Sequence, residues 1–150
     1  MDYENKLKTF LYQNNIEAEH LAFKKSCHSV DDAANAAGAE PKDFIKSICM
    51  MGNGLIVGIV NGRDRASTKR ISKLLDAEVR IARPAEILER TGYPVGGVPP
   101  FGYEAVFLID PKVMKMKVLY GGGGSDKSLI KITPQEMLKA NKGRIVRIRK

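Results

Sequence analysis

Two apolar runs separated by a three-residue turn constrain the fold of this chain most. Residues 45–51 (Ile-Lys-Ser-Ile-Cys-Met-Met) lead into Gly52-Asn53-Gly54, and residues 55–60 (Leu-Ile-Val-Gly-Ile-Val) lead into Asn61-Gly62. Asn-Gly between two such runs is the strongest short-range signal for a β-hairpin, because these residues tolerate the positive φ of a tight turn.

Helical periodicity surrounds the hairpin. Residues 3–14 carry Tyr3, Leu7, Phe10 and Leu11 at helical spacing and stop at Asn14-Asn15. Residues 16–23 read as a short strand with Ile16, Ala18 and His20 on one face. Ser29 is suited to cap a helix over residues 30–37, with Asp31 and Asp32 in its first turn and Gly38 closing it. Residues 41–46 add a further helical turn or run straight into the hairpin. Residues 67–75 read as a helix capped by Ser67 or Thr68, with Ile71, Leu74 and Leu75 inward, and Val79 and Ile81 fit a short strand. Pro84 opens a helix that ends at Gly92. Beyond it come a strand over 105–109, another through Val113, Met116, Val118 and Tyr120, a glycine turn over 121–124 and a strand over 129–132. Thr133-Pro134 starts a helix to Ala140, and a last short strand covers 145–149, where Val146 and Ile148 alternate with Arg147 and Arg149. Hairpins mixed with helices predict an α+β domain with a mixed, largely antiparallel sheet. There is no internal repeat and no linker.

A chain of 150 residues suggests one domain and can bury roughly 70% of its unfolded surface. It needs no disulfide framework, and Cys27 and Cys49 read as free thiols in a reducing cytoplasm. No apolar run approaches the ~20 residues of a membrane span, and the polar, acidic start has no signal-peptide pattern, so no membrane partner is expected. The formal charge of +8 and a pI near 9.5 favour polyanions. The charge is uneven: residues 139–150 hold six basic residues and no acidic one. A solubilising basic surface is the plainer reading of the same composition.

Three patterns are decoys. Gly121 to Ser128 nearly spells a phosphate-binding loop, but Asp126 stands where that loop needs glycine, and residues 129–132 read as a strand rather than a helix. His20, Cys27, His28 and Cys49 lack the spacing of a zinc site, so neither metal nor organic cofactor is expected. Cys27 and His28 are adjacent, and sequence neighbours usually point apart, which argues against a nucleophile–base pair.

Two features resist a purely structural reading. Lys46 lies inside an otherwise apolar stretch, where a lysine must find an anion, reach water or lose its charge. A strand-entrance lysine with its amine in solvent is the bland alternative. The second feature is the loop over residues 92–102, with Gly92, Gly96, Gly97 and Gly102 to free the backbone and Pro94, Pro99 and Pro100 to stiffen it. A stiff loop with unpaired backbone N–H groups is what an oxyanion site requires. A long connecting loop would carry the same residues.

Together these landmarks resemble the YbaK-type Cys-tRNA(Pro) deacylases and the editing domain inserted in bacterial prolyl-tRNA synthetases. The ordered set is His28 with Asp31-Asp32-Ala33-Ala34, then Lys46-Ser47, Thr91-Gly92-Tyr93, the loop from Gly96 to Gly102, Ile109-Asp110, and the glycine turn before Pro134-Gln135. The resemblance runs from about Leu7 to Leu138. It implies a partly barrel-like sheet with surrounding helices and a trans-editing deacylase of misacylated tRNA, with Cys-tRNA(Pro) or Ala-tRNA(Pro) as the first substrates to consider. The family's invariant lysine corresponds to Lys46, which holds the charged aminoacyl end. Its Gly-x-x-x-Pro loop corresponds to Gly96 through Pro100, with the loop amides, those of Gly96 and Gly97 first, polarising the ester carbonyl or orienting the attacking group. Phe23, His28, Ser47, Val98, Pro99, Pro100, Phe101 and Gly102 are implied to line the substrate site. Ser47 replaces the usual threonine and keeps the hydroxyl. Residues 129–132 offer no acidic or polar pocket residue, which weakens any analogy for substrate choice. The family has no dedicated side-chain nucleophile, so the attacking group is water, or the substrate's own thiol when cysteine is removed. Arg144, Arg147, Arg149 and Lys150 are expected to meet the tRNA backbone. The implied partners are the acceptor end of an aminoacylated tRNA and a prolyl-tRNA synthetase. A non-catalytic tRNA-binding or synthetase-associated module is the alternative, and general RNA binding through the basic tail is a third reading with no stacking platform to support it.

Overall fold

The computed structural model describes residues 2–150. Helix α1 (Tyr3–Gln13) starts where the Asp2 carboxylate accepts from the N–H of Asn5 at 3.1 Å, and it buries Leu7 and Leu11. Strand β1 (Ala18–Ala22) follows. Helix α2 (Val30–Ala37) is capped by Ser29, whose hydroxyl accepts from the N–H of Asp32, and it ends on Gly38 in the left-handed region at φ 66°. A single 3₁₀ turn over Pro41–Asp43 then feeds β2 (Ile45–Met51), which pairs antiparallel with β3 (Leu55–Asn61) from Ile45↔Asn61 to Met51↔Leu55. The hairpin is therefore in the predicted place. Every residue of β3 is buried, because both faces of this strand are covered.

Helix α3 (Thr68–Leu75) is capped by the Ser67 hydroxyl. Strand β4 (Arg80–Ile81) covers only the far end of β2, at Met50 and Met51. Helix α4 (Pro84–Thr91) ends on Gly92 at φ 78°. Strand β5 (Val106–Ile109) runs parallel to β3. The strand expected through Val113 to Tyr120 begins instead as a one-turn helix, α5 (Pro111–Met114), because the Asp110 side chain caps Lys112 and Pro111 fits the first helical position. Strand β6 (Leu119–Gly122) then absorbs the first half of the expected glycine turn, and β7 (Ser128–Ile132) pairs with both β6 and β1. Helix α6 (Pro134–Asn141) is capped by Thr133. The final strand, β8 (Arg144–Ile145), is shorter than predicted, with a separate bridge between Ala66 and Arg149.

The strands form two sheets, ordered β4-β2-β3-β5-β8 and β1-β7-β6. Four of the six pairings are antiparallel and two are parallel, so the sheet is mixed and largely antiparallel. It does not close into a barrel. The sheets meet at a parallel bridge between Phe44 and Tyr120, whose rings stack at 5.0 Å. Strand alternation sends Ile45, Cys49, Val57, Ile59 and Ile109 into one core with Leu7, Ile130 and Met137. The opposite face sends Met50, Ile56, Val60 and Leu108 against Ile71 and Ile148.

Candidate active site

Between the two sheets lies an open cleft of about 200 Å³. It sits at the uncovered edge of β2, since β4 reaches only Met50 and Met51. On that edge the carbonyl of Cys49 accepts from the N–H of Ala82 at 3.0 Å. Two residues earlier, the pleat turns the N–H and C=O of Ser47 to the same edge, beyond the end of β4. The opposite wall combines the start of α2 with the 92–102 loop: Cys27, His28 and Ser29 face Gly96 and Val98.

The loop is a bracket sunk into the core at both ends. Tyr93, Pro99, Pro100 and Phe101 are buried, and Phe101 stacks on Phe10 at 5.6 Å. The carbonyl of Pro99 accepts from the Tyr103 hydroxyl at 2.7 Å, and that of Pro100 from the Asn141 amide at 3.0 Å. At the crest, the N–H of Gly97 donates to the carbonyl of Pro94 at 3.0 Å, with Gly96 at φ 91° in the third position of the turn. That bond withdraws Gly97 from the expected role of amide donor. Gly97 is required for another reason: a Cβ there would come within 2.6 Å of the Gly124 carbonyl group. A Cβ on Gly122 would meet the Val98 carbonyl oxygen more closely still. The two glycine segments pack backbone against backbone, joined by a bond from the Gly124 N–H to the Gly97 carbonyl at 2.8 Å. Among the described residues, the N–H groups of Gly96 and Val98, both lining the cleft, have no acceptor.

Lys46 borders the cleft on β2, on the strand face shared with Ile48 and Met50. It is half-buried, and among the described residues its amine has no ion pair. Burial lowers its pKa from the ordinary lysine value, and the nearby Arg65 lowers it further against the opposing pull of Asp64. His28 is exposed and leans on the loop, so that a Cβ on Gly96 would stand 2.5 Å from its Nδ1.

Of the expected substrate residues, His28, Ser47 and Val98 line the cleft with Lys46 and Gly96. Phe23, Pro99, Pro100, Phe101 and Gly102 do not. Phe23 packs against the cluster of Cys27, Phe44 and Leu129, and Pro99, Pro100 and Phe101 anchor the loop in the core. Neither thiol is a ready nucleophile. Burial pushes the Cys27 thiol up, helped by Asp126 and Asp32, and burial alone pushes Cys49 to about 11. Gly121 and Gly122 on the cleft floor were legible only as a turn; nothing local in the sequence says which loop rests on them.

The expected tail contacts divide. Arg144, Arg147 and Lys150 are exposed. The Arg149 guanidinium, in contrast, pairs with buried Asp110 at 2.7 Å, so its charge is already neutralised within the fold.

Residues 24–140 match the aminoacyl-tRNA editing domain family. The chain is 28% identical to an uncharacterized protein, YwhH, of Bacillus subtilis (strain 168), over 87% of this chain and 86% of that one. It is 25% identical to a proline–tRNA ligase of Thermosipho melanesiensis over 79% of this chain, which spans only 21% of that ligase. Among solved structures, the hypothetical protein APE2540 superposes with a TM-score of 0.88 at 28% identity, over 97% of this chain and 99% of that one. A protein proposed to be a trans-editing enzyme for prolyl tRNA synthetase shares the fold, with a TM-score of 0.92 at 24% identity over 100% and 98% of the two chains. No helix among the described residues is long and apolar enough to cross a membrane.

Proposed function

The chain belongs to the aminoacyl-tRNA editing domain family, and from that premise we propose that it is a trans-acting deacylase hydrolysing the ester of a misacylated tRNA, Cys-tRNA(Pro) or Ala-tRNA(Pro). One observation carries the reading: Lys46, Gly96 and Val98 line one small cleft, and among the described residues the lysine amine has no ion pair and the two backbone N–H groups have no acceptor. The similarity to a segment of proline–tRNA ligases supports tRNA(Pro) as the carrier and a prolyl-tRNA synthetase as a working partner. Two buried free thiols suit a reducing compartment, the cytoplasm.

In this mechanism the 3′-terminal adenosine and its amino acid enter between β2 and the loop. Water adds to the ester carbonyl, and the negative charge that develops on oxygen is met by the N–H groups of Gly96 and Val98. The bond from carbonyl carbon to ribose oxygen then breaks, and the ribose oxygen leaves as its hydroxyl with the proton that the attacking water gives up. Donors of this kind are effective because they are fixed beforehand, and losing one costs ~3 kcal/mol of barrier. The buried ends of the loop supply that rigidity. The ammonium of Lys46 holds the anionic end of the tRNA. A volume of about 200 Å³ admits a small aminoacyl group, and each methylene in such a pocket is worth only ~1–3 kcal/mol of discrimination.

The test is release of labelled amino acid from Cys-tRNA(Pro) and Ala-tRNA(Pro), with Lys46→Ala beside the wild type. Release that disappears in the variant is the expected result. Binding of both tRNAs without release of either would replace the enzyme with a binding module.

A further inference from the structure

A second concavity, of about 360 Å³, is lined by Lys42, Arg63, Lys112, Lys115 and Lys117, with Asp43 as its one carboxylate. Like charges gathered in a hollow repel one another, so such an arrangement favours a polyanion that fits it. Two of the five cations have partners: Lys112 meets Asp64 at 3.0 Å and Lys42 meets Glu40 at 3.2 Å. Arg63, Lys115 and Lys117 are exposed and have no ion pair among the described residues. The cations come from three separate stretches of chain, and one buried side chain ties those stretches together. The Asn61 amide nitrogen donates to the Lys42 carbonyl at 2.9 Å and to Met116 Sδ at 3.6 Å, and its oxygen accepts from the N–H of Arg63 at 3.0 Å. Asn61 is only 7% exposed. The hollow is therefore built, rather than a chance gathering of mobile lysines.

The hollow also lies close to the cleft. The Lys42 stretch continues directly into Phe44, Ile45 and Lys46, and the Lys115–Lys117 stretch runs into β6, whose Gly121 and Gly122 floor the cleft. Four residues of strand span at most ~13 Å, so the hollow lies one short step from the site of chemistry. Arg65 and Asp64, the charges that act on Lys46, belong to the loop that brings Arg63 to the hollow.

Resting on the deacylase reading above, we propose that this hollow, and not the C-terminal basic run, is where the acceptor-stem phosphates of the tRNA dock. Arg63, Lys115 and Lys117 bind the phosphates, and Asn61 holds their segments in register.

The test compares wild type, an Arg63→Ala/Lys115→Ala/Lys117→Ala triple variant and an Arg144→Ala/Arg147→Ala double variant. Each is titrated with uncharged tRNA(Pro) across a range of salt concentrations. Each is also assayed for release from aminoacyl-tRNA and from the aminoacyl ester of adenosine alone, which is too short to reach from cleft to hollow. The triple variant is expected to lower the slope of log K against log salt by about two to three, close to one for each phosphate that is no longer neutralised. Its kcat/KM for aminoacyl-tRNA should fall at least about tenfold, the weakening expected when those phosphates go unpaired, while turnover of the adenosine ester stays at the wild-type level. An unchanged slope in the triple variant, or a slope that falls only in the double variant, overturns the proposal. An equal loss on both substrates overturns it too, because the residues would then be acting on the cleft. If the wild type releases neither substrate, the deacylase reading fails, and the salt slopes alone still decide where tRNA binds.

Discussion

Asp110 and Lys46 face the same physical problem and resolve it in opposite ways. Each places a charge where burial penalises it. Asp110 is fully buried and saturated: it accepts from the N–H groups of Lys112 at 3.0 Å, Ile148 at 3.0 Å and Arg149 at 3.1 Å, and from the Arg149 guanidinium at 2.7 Å. Burial would raise its pKa, but these four donors outweigh it and hold the carboxyl below its ordinary value. Lys46 is half-buried with no ion pair among the described residues, and burial and Arg65 outweigh the pull of Asp64 and lower its pKa. A charge that the fold satisfies belongs to the fold. A charge left unsatisfied at the rim of a cleft is available to something that enters it.

Lys46→Met separates the two charges with the largest effect. Ester release should fall about 100- to 1000-fold, the effect of removing one preorganised electrostatic group. Stability should move the other way. A lysine with a lowered folded pKa binds its proton less well in the fold than in the unfolded chain. Between the lowered value and 10.5, stability therefore rises with pH, and at neutral pH the charge is a cost. Replacing it with an apolar side chain of similar length should raise the urea midpoint slightly, because solvent at the cleft rim screens much of the penalty. A variant that loses both activity and stability would make Lys46 a structural residue.

Asp110→Ala should do the reverse: it should cost about 3 kcal/mol of stability, because the Arg149 guanidinium and the buried N–H of Ile148 lose their acceptor, and leave release per folded molecule unchanged. The pH dependence has a defined sign. The carboxyl titrates in the fold below its ordinary 3.8, so its contribution is complete above that value and is lost as pH falls through the lower folded one. Urea midpoints at neutral and acid pH check both statements: wild type and variant should differ most at neutral pH and converge in acid. A difference that persists unchanged in acid would remove the carboxylate from the account.

Gly96→Ala is a smaller perturbation of the cleft side. Its φ of 91° is strained for any L side chain, and the new Cβ would meet His28 Nδ1 at 2.5 Å. Forcing the crest of the loop to shift should cost roughly 1–2 kcal/mol of barrier, seen as a fall of about tenfold in kcat/KM. An unimpaired Gly96→Ala enzyme would separate the loop crest from the reaction.

These two charges also mark what the sequence could and could not reveal. Lys46 was legible because a lysine inside an apolar strand is anomalous at first sight. The Ser29 cap, the Gly38 stop and the hairpin were legible for the same reason: each is a local rule written in adjacent residues. The role of Asp110, a landmark only as Ile109-Asp110, was not, since its partners Ile148 and Arg149 lie 38 and 39 residues away. It also explains why the last strand is short. Residues 145–149 alternate as a strand should, but the N–H groups of Ile148 and Arg149 go to the Asp110 carboxylate instead of a ladder. The Gly97 N–H is occupied by a turn bond to Pro94 that only the backbone path reveals. Phe101 and its proline neighbours read as pocket residues by their place in a motif, whereas their bulk and apolar character seat the loop in the core.

Cys27 gives the smallest effect and the cleanest exclusion. It lines the cleft beside His28, the arrangement from which a thiolate nucleophile would be expected. The residue is only 5% exposed, packed with Ala33, Phe44 and Leu129, and burial together with Asp126 and Asp32 pushes its pKa above 9.0. A nucleophilic cysteine needs the reverse: positive neighbours and a lowered pKa. Cys27→Ala should therefore change ester release by less than about twofold, with a cost to stability of about 1 kcal/mol for the missing packing. Loss of release in a folded Cys27→Ala protein would mean that an acyl group passes through sulfur, and water would no longer be the first nucleophile to reach the ester.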